Sequence, residues 1–280
     1  MMIEYLKYHK EKAVKLIIIN YEKIITSIFF KIKNNTYKNI INKNRTVLSN
    51  VNTFIDDELF KESNYGLQKR VYNYINLPIT TEYYYSDFLI FLMNFYFKNN
   101  LVYLEIGVSV LKNFLLVKNH TESSHLYAFD LNPINPLLKN QFYNNNGNNH
   151  VAYFQGDVFD EEDTENFKSN LKQKFNFIYS DASHTYEGIL SEFKNIYSNQ
   201  LEEEFIIYFD DLDFKNLLQG SLDIKNYLSE MYENVNLYTF KIFGWIGDNE
   251  PMHVNGIITN LNIDELISNE ELKIYKYRKY

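Results

Sequence analysis

The sequence predicts an α/β protein with a doubly wound, mostly parallel sheet that ends in an antiparallel hairpin. Three observations predict it. From Leu101 onward, short apolar runs alternate with amphipathic stretches, the pattern of repeated strand–helix units. The runs are aromatic and β-branched, and several end abruptly in Gly or Asp, as buried parallel strands do at a ligand-binding rim. The last two runs, Val235–Phe243 and His253–Asn260, are joined by the Gly- and Asp-containing loop Gly244–Met252 with no helical stretch between them. They therefore pair antiparallel, at the sheet edge.

The chain has 280 residues, enough for one large domain with an extension. It has no cysteine, which excludes disulfides and thiolate metal sites. A net charge of −8 removes the overall basic footprint of a nucleic-acid binder, so nucleic acid is not an expected partner. The abundance of Asn, Ile, Lys and Tyr is what AT-rich codons encode, as in a large DNA virus or a parasite, and bears on source rather than chemistry.

Residues 3–33 carry Val14, Ile17, Ile18, Tyr21, Ile24, Ile25, Ile28 and Phe29 at helical spacing against Lys and Glu. That apolar stripe predicts a packing or dimer surface, hence a homo-oligomer; the alternative is a membrane-surface helix, because lysines border the stripe. Leu16–Ile19 is too short and too closely flanked by charge to span a bilayer, and no cleavage site follows it. The expected protein has no transmembrane segment and is cytoplasmic, in host cytoplasm or virion if the source is viral. Residues 34–53 read as an Asn-rich linker. Residues 54–82, with Asp56, Asp57, Tyr65, Arg70 and Tyr72, either pack on the surface or cap the site. Ser86–Phe97 is a buried helix leading into the core. The division is 1–82, a mainly helical N-terminal extension; 83–262, the sheet domain; and 263–280, a tail.

Strands are predicted at 101–106, 125–130, 151–155, 175–180 and 204–209, and helices at 109–118, 134–143, 160–172, 185–199 and 214–232. With the final pair the sheet is seven-stranded. The tail is either a short helix plus a final strand or a loose terminus.

The chemistry concentrates after two of these strands. Phe175–Tyr179 leads into Asp181 and His184; Phe205–Phe209 leads into Asp210, Asp211 and Asp213. Tyr186, Ile189, Leu190, Phe193, Ile196 and Tyr197 between them keep helical spacing. Both acidic groups thus stand at the carboxyl ends of parallel strands, where open sheets bind ligands. Three carboxylates and an imidazole on one rim suit a hard divalent cation beside a general base; Asp211 or Asp213 is otherwise a helix cap. On the first strand's side, Glu105-Ile106-Gly107-Val108-Ser109 places a glycine where the backbone can approach a ligand closely. The second strand ends at Asp130, placed to accept ribose hydroxyls, and the third runs into Gly156-Asp157, suited to an adenine edge. Together these point to an adenosine-containing cofactor; the alternative is that Asp130 and Asp157 cap the following helices.

Residues 83 to 260 resemble the class I S-adenosylmethionine-dependent methyltransferases, whose Rossmann-like fold is set apart from nicotinamide-binding domains by the closing hairpin. Asp181-Ala-Ser-His184-Thr-Tyr-Glu followed by Asp210-Asp211 resembles the metal-dependent sugar O-methyltransferases of macrolide biosynthesis and, more distantly, the catechol-type enzymes. The resemblance implies a catalytic pair, His184 as base and Asp181, with Mg²⁺ held by Asp181, Asp210 and Asp211. It implies an S-adenosylmethionine pocket lined by Glu105, Gly107, Ser109, Asp130, Gly156 and Asp157, and a small-molecule or glycan acceptor with vicinal hydroxyls. One position departs. The family's first loop carries a further glycine where this chain has Leu111, whose side chain either intrudes on the methionine end of the cofactor or points into the core. The alternatives are a catalytically inactive binding or assembly protein on the same fold and an RNA cap ribose methyltransferase; the latter chemistry uses an activating lysine, and no lysine is near Asp181 in sequence. Trp245 and His253 either contact substrate or pack on an edge strand.

Overall fold

Strand alternation splits the core in two. Tyr103 of the first strand packs into one apolar cluster, while Val102, Leu104 and Ile106 pack into the other, as the two-residue period of a strand covered on both faces requires. The computed structural model describes residues 38–50, 84–144, 147–213, 216–244, 252–267 and 274–280. The stripe at 3–33, the cap at 54–82 and Trp245 lie outside them.

Residues 38–50 form helix α1, followed by α2 (Tyr85–Tyr96). Alternation then proceeds through β1 (Val102–Ile106), α3 (Lys112–His120), β2 (His125–Asp130), α4 (Lys139–Tyr143), β3 (His150–Gln155), α5 (Glu161–Ser169), β4 (Phe175–Ser180) and α6 (Tyr186–Glu192). A π-helical turn (Phe193–Tyr197) extends α6 into β5 (Leu201–Phe209). The remainder is α7 (Leu217–Leu228), β6 (Asn236–Ile242), β7 (His253–Thr259), α8 (Asp264–Ile267) and β8 (Tyr275–Lys279).

The sheet order is β3-β2-β1-β4-β5-β7-β6-β8. The first five strands pair in parallel. β7 runs antiparallel between β5 and β6, with Gly256 opposite both Phe209 and Thr239. The hairpin expected at the edge is therefore inside the sheet, and the edge is β8, which pairs antiparallel with β6 and adds an eighth strand to the seven expected. The tail is the short helix plus final strand of the two options.

α1 joins the same core as α2: Ile40, Ile41 and Leu48 pack with Phe88 and Leu92. Fully buried Asp87 ties the helices together. It accepts from Asn44 Nδ2 at 2.8 Å and from Arg45 Nη1 and Nη2 at 3.1 and 2.7 Å, and it caps α2 by accepting the Tyr84 N–H at 2.9 Å. A planar guanidinium meeting a carboxylate with both nitrogens is the strong form of this contact.

The strand order reverses between β1 and β4, the crevice where doubly wound sheets bind ligands. Backbone bonds carry the ladder one step past the strand ends: Gly107 N–H donates to Phe129, Gly156 to Asp130, Asp181 to Ile106 and Asp210 to Ser180, at 2.9–3.2 Å. The carboxyl ends of β1 to β5 are thereby brought to one rim.

Candidate active site

Gly107 brings two halves of the rim together. It sits at φ +83°, and a Cβ there would fall 2.4 Å from the Asp181 carbonyl oxygen, so only glycine lets the β1 and β4 loops touch. Beyond it, Ser109 (φ 45°) and Leu111 (φ 60°) also take left-handed backbone. The expected helix start at 109 is thus pushed to Lys112, with Leu111 at its N-cap. The Leu111 side chain is 1% exposed and belongs to the core cluster of Phe114 and Leu115. Of the two options for this departure, the structure shows the inward one: the chain keeps a left-handed turn where glycine would be at ease, and sends the leucine away from the crevice.

On the side where a cofactor is expected, Asp130 accepts the Ser109 N–H at 3.0 Å and the Asn132 N–H at 2.9 Å. It joins the first loop to the end of β2 and caps no helix. Asp157 accepts the Phe159 N–H and gives its own N–H to Asp163 Oδ2, both at 2.9 Å; the cap of α5 is Asp160, which accepts from Glu162 and Asp163. Gly156 lies buried against Phe129 and Asp163. Glu105 is 1% exposed and accepts the Tyr103 hydroxyl at 2.7 Å; burial pushes its carboxyl well above the usual range.

The acidic side gathers seven polar side chains. His184 Nε2 lies 3.4 Å from Asp181 Oδ1 and 3.3 Å from Asp211 Oδ2, so the base expected after β4 meets carboxylates from both β4 and β5. Asp210 lies deeper. Its Oδ1 contacts His253 Nε2 and accepts from Asn255 Nδ2, while the Tyr179 hydroxyl sits between Asp210 Oδ2 at 3.1 Å and Asp181 Oδ2 at 3.2 Å. His253 also approaches Asp211 Oδ1 with Nδ1, at 3.3 Å. Asp213 lies exposed.

These contacts set the charges. Hydrogen bonds to Asp181, then Asp211, push His184 up to about 10. Burial alone would lower His253, but Asp210 and then Asp211 hold it up at about 9. Burial also penalises the Asp210 charge, yet His253, Lys112 and Asn255 outweigh it and keep Asp210 below its ordinary value. Asp181 is raised, by burial and then by Asp210. In this arrangement, without a cation, the two carboxylates favour the protonated form of the His184 imidazole.

Five participants come from stretches with no site pattern of their own. Glu192, at the end of α6 and fully buried, accepts from Ser180 Oγ at 2.5 Å and from the Ser183 N–H at 3.1 Å. It fixes both ends of the turn that carries Asp181 and His184. Gly188 lets that turn pack on α6, since a Cβ there would fall 1.9 Å from Ser183 Oγ. Lys112, the first residue of α3, donates to the Tyr85 hydroxyl at 2.7 Å; burial lowers it to about 8, against the pull of Asp210 and Asp181. A lysine therefore does stand in the field of Asp181, though committed to Tyr85. His253 and Asn255 enter because β7 lies beside β5, and the register, not any local motif, puts them against Asp210.

Asp210, Asp211 and His253 each offer a ligand atom, all within 4.8 Å of one another. Asn255 Oδ1 is buried with no hydrogen-bond partner among the described residues. Oxygen-rich donors with an orphaned neutral oxygen beside them fit a small divalent cation. A cavity of 510 Å³ at the opposite end of the sheet, lined by Lys43, Lys118, Thr121 and Asn149, has no such chemistry; Lys118 is spent on the carbonyls of Gln141, Phe142 and Asn144. No helix among the described residues is long and apolar enough to cross a membrane.

No protein-family model matches the chain, and no curated protein matches it. Among solved structures it is similar to an O-methyltransferase from Bacillus cereus in complex with SAH, at TM-score 0.46 and 16% identity over 75% of this chain and 96% of that one. It is similar to a Staphylococcus aureus protein described as a caffeoyl-CoA O-methyltransferase, at TM-score 0.42 and 14% identity over 75% and 99%. A third is spermidine synthase from Thermotoga maritima, at TM-score 0.40 and 14% identity over 63% and 59%. At such identities and scores neither substrate nor chemistry carries over, and the architecture stands on its own strand order and registers.

Proposed function

We propose that the chain is an S-adenosylmethionine-dependent O-methyltransferase that methylates a hydroxyl of a sugar or another vicinal diol, assisted by a divalent cation. The observation that supports it is the meeting of His184 with Asp181 and Asp211 at 3.4 and 3.3 Å, beside buried Asp210, at the crevice of the sheet. Gly107, Ser109 and Asp130 on the neighbouring strand ends, with Glu105, Gly156 and Asp157 behind them, fit the donor. Leu111 does not oppose this, since its side chain is in the core.

When bound, S-adenosylmethionine supplies an electrophilic methyl carbon on a sulfonium, and a divalent cation at Asp181, Asp210 and Asp211 lowers the pKa of a hydroxyl oriented beside it. The chain's own residues do the rest. Gly107 leaves the crevice open to backbone approach. Asp210, kept ionised by His253 and Asn255, fixes the negative charge beneath the site. Glu192 holds the Asp181–His184 turn in place through Ser180 and Ser183. His184 Nε2 would accept the acceptor's proton; with Asp181 and Asp211 engaged by a cation rather than by the imidazole, its proton affinity would fall toward the range of a useful base. Transfer of the methyl group to the hydroxyl oxygen would release the sulfur as a neutral thioether, and His184 would hold the acceptor's proton. Positioning of the hydroxyl on the methyl axis carries much of the rate.

Transfer of an isotopically labelled methyl from S-adenosylmethionine to a panel of vicinal diols tests this. Label should pass to a diol acceptor in the presence of a divalent cation, His184→Ala should abolish it, and affinity for S-adenosylhomocysteine should change little. An equally active His184→Ala variant would remove His184 from the role of base.

A further inference from the structure

The imidazole of His253 faces the acidic cluster with both ring nitrogens, Nε2 toward Asp210 Oδ1 and Nδ1 toward Asp211 Oδ1 at 3.3 Å. It reaches there from β7, a strand that otherwise contributes sheet pairing to β5. We propose that His253 is a metal ligand together with Asp210 and Asp211, so that the site takes Mn²⁺ or a later first-row divalent ion in preference to Mg²⁺. The inference rests on the reading above that this site holds a divalent cation, and it names which cation.

Three features support it. The ligand atoms of Asp210, Asp211 and His253 lie within 4.8 Å of one another, close to the span across an ion whose bonds are about 2.0–2.2 Å long. The imidazole is held in place before any ion arrives: His253 stacks at a tilt on Tyr85, with ring centroids 5.2 Å apart, and its side chain is only 9% exposed. Beneath it, Asn255 donates Nδ2 to Asp210 while its Oδ1 stays buried without a hydrogen-bond partner among the described residues. Rotation of that amide exchanges the two atoms and offers a neutral oxygen donor to the same cluster. A nitrogen among carboxylate and amide oxygens changes the selectivity. Mg²⁺ is a hard ion that keeps waters and oxygen ligands, whereas affinity at mixed nitrogen–oxygen sites rises from Mn²⁺ toward Zn²⁺ and Cu²⁺. The opposing reading makes His253 only the counter-ion of Asp210.

The two readings separate in pulsed electron paramagnetic resonance of the full chain, stripped with chelator and loaded with Mn²⁺. A directly bound imidazole imprints its nitrogen on the Mn²⁺ spin echo, and a counter-ion outside the ligand shell does not. The expected result is nitrogen modulation in the wild type and in His184→Ala, lost in His253→Ala. Outer-shell partners alone are worth about 10–100-fold in metal affinity, so removal of this ligand should weaken Mn²⁺ by about 100-fold or more and Mg²⁺ far less, read by competition titration. If His253→Ala does not fold, the wild-type and His184→Ala spectra still decide. Mn²⁺ bound without nitrogen modulation in the wild type would overturn the ligand assignment and leave the methyltransferase reading intact. No Mn²⁺ binding at all would overturn both this inference and the metal-assisted part of that reading, which labelled methyl transfer in chelator would check separately.

Discussion

His184 and His253 are two imidazoles among three carboxylates, and their proton affinities make the metal-free protein sensitive to pH. Both sit above the ordinary value of 6.5, at about 10 and about 9. A group whose folded-state pKa is raised binds its proton more tightly when folded, so its contribution is complete below 6.5 and is lost as pH climbs through 9 to 10. In chelator the melting temperature should therefore fall between pH 6.5 and 10, and the double variant His184→Ala/His253→Ala should flatten that fall. A wild-type profile that is already flat would mean the ion pairs do not form. The same residues show where sequence reading stops. Asp181 and His184 are three apart, and Asp210 and Asp211 are adjacent, so a strand ending in them declares a rim. His253 stands 43 residues from Asp210, and its role depends on β7 lying next to β5, which no local pattern encodes. The charge state of His184 was equally illegible, because it depends on Asp211 arriving from another strand.

At the scale of elements, α3 shows how a departure from an expected pattern is absorbed. The helix gives up its first turn, and Leu111 takes a left-handed N-cap while burying its side chain. Left-handed backbone costs a side-chain-bearing residue about 1–2 kcal/mol, and burying the leucine returns about 1.5–3 kcal/mol, so burial wins. A specific ordering follows. Leu111→Ala loses the packing and keeps the strain, which places it in the range of about 2–5 kcal/mol destabilisation. Leu111→Gly loses the packing but relieves the strain, so it should be more stable than the alanine variant by about 1 kcal/mol, the reverse of the order in a helix interior. Urea unfolding of the two variants checks this, and alanine the more stable of the two would mean Leu111 is not held at positive φ. Other elements were plain in the sequence. The strand runs of β1, β2, β4 and β5 and the stripe of α6 fall where their periodicity places them. The π-helical turn at Phe193–Tyr197 did not show, since Phe193, Ile196 and Tyr197 keep the i, i+3, i+4 spacing of an ordinary α-helix.

The whole molecule follows from packing more than from local signals. Alternating strands and helices were enough to predict a doubly wound sheet and an antiparallel pair after it. They did not give the order β5-β7-β6-β8, because placing a hairpin inside rather than beside a sheet is decided by which edge buries more apolar surface. Ile257 and Ile258 of β7 are fully buried there, as an inserted strand requires. The polar linker expected at 34–53 is, over residues 38–50, a helix whose Ile40, Ile41 and Leu48 reach the core and whose Arg45 meets Asp87; its apolar residues are too few to announce a stripe among so many Asn and Lys. The sequence's own argument for self-association, the stripe at 3–33, stays a proposal that sedimentation of the full chain would decide.

In the proposed function this sheet presents an open S-adenosylmethionine crevice beside an acidic, cation-binding rim. Calorimetric titration of S-adenosylhomocysteine into the full chain, once with a divalent cation and once with chelator, tests it most directly. Saturable binding in the micromolar range under both conditions is the predicted result, because the contacts that shape the proposed crevice at Gly107, Ser109 and Asp130 are made within the protein. No heat in either condition, from a sample shown to be folded, would contradict the account and leave the fold as a scaffold for some other partner.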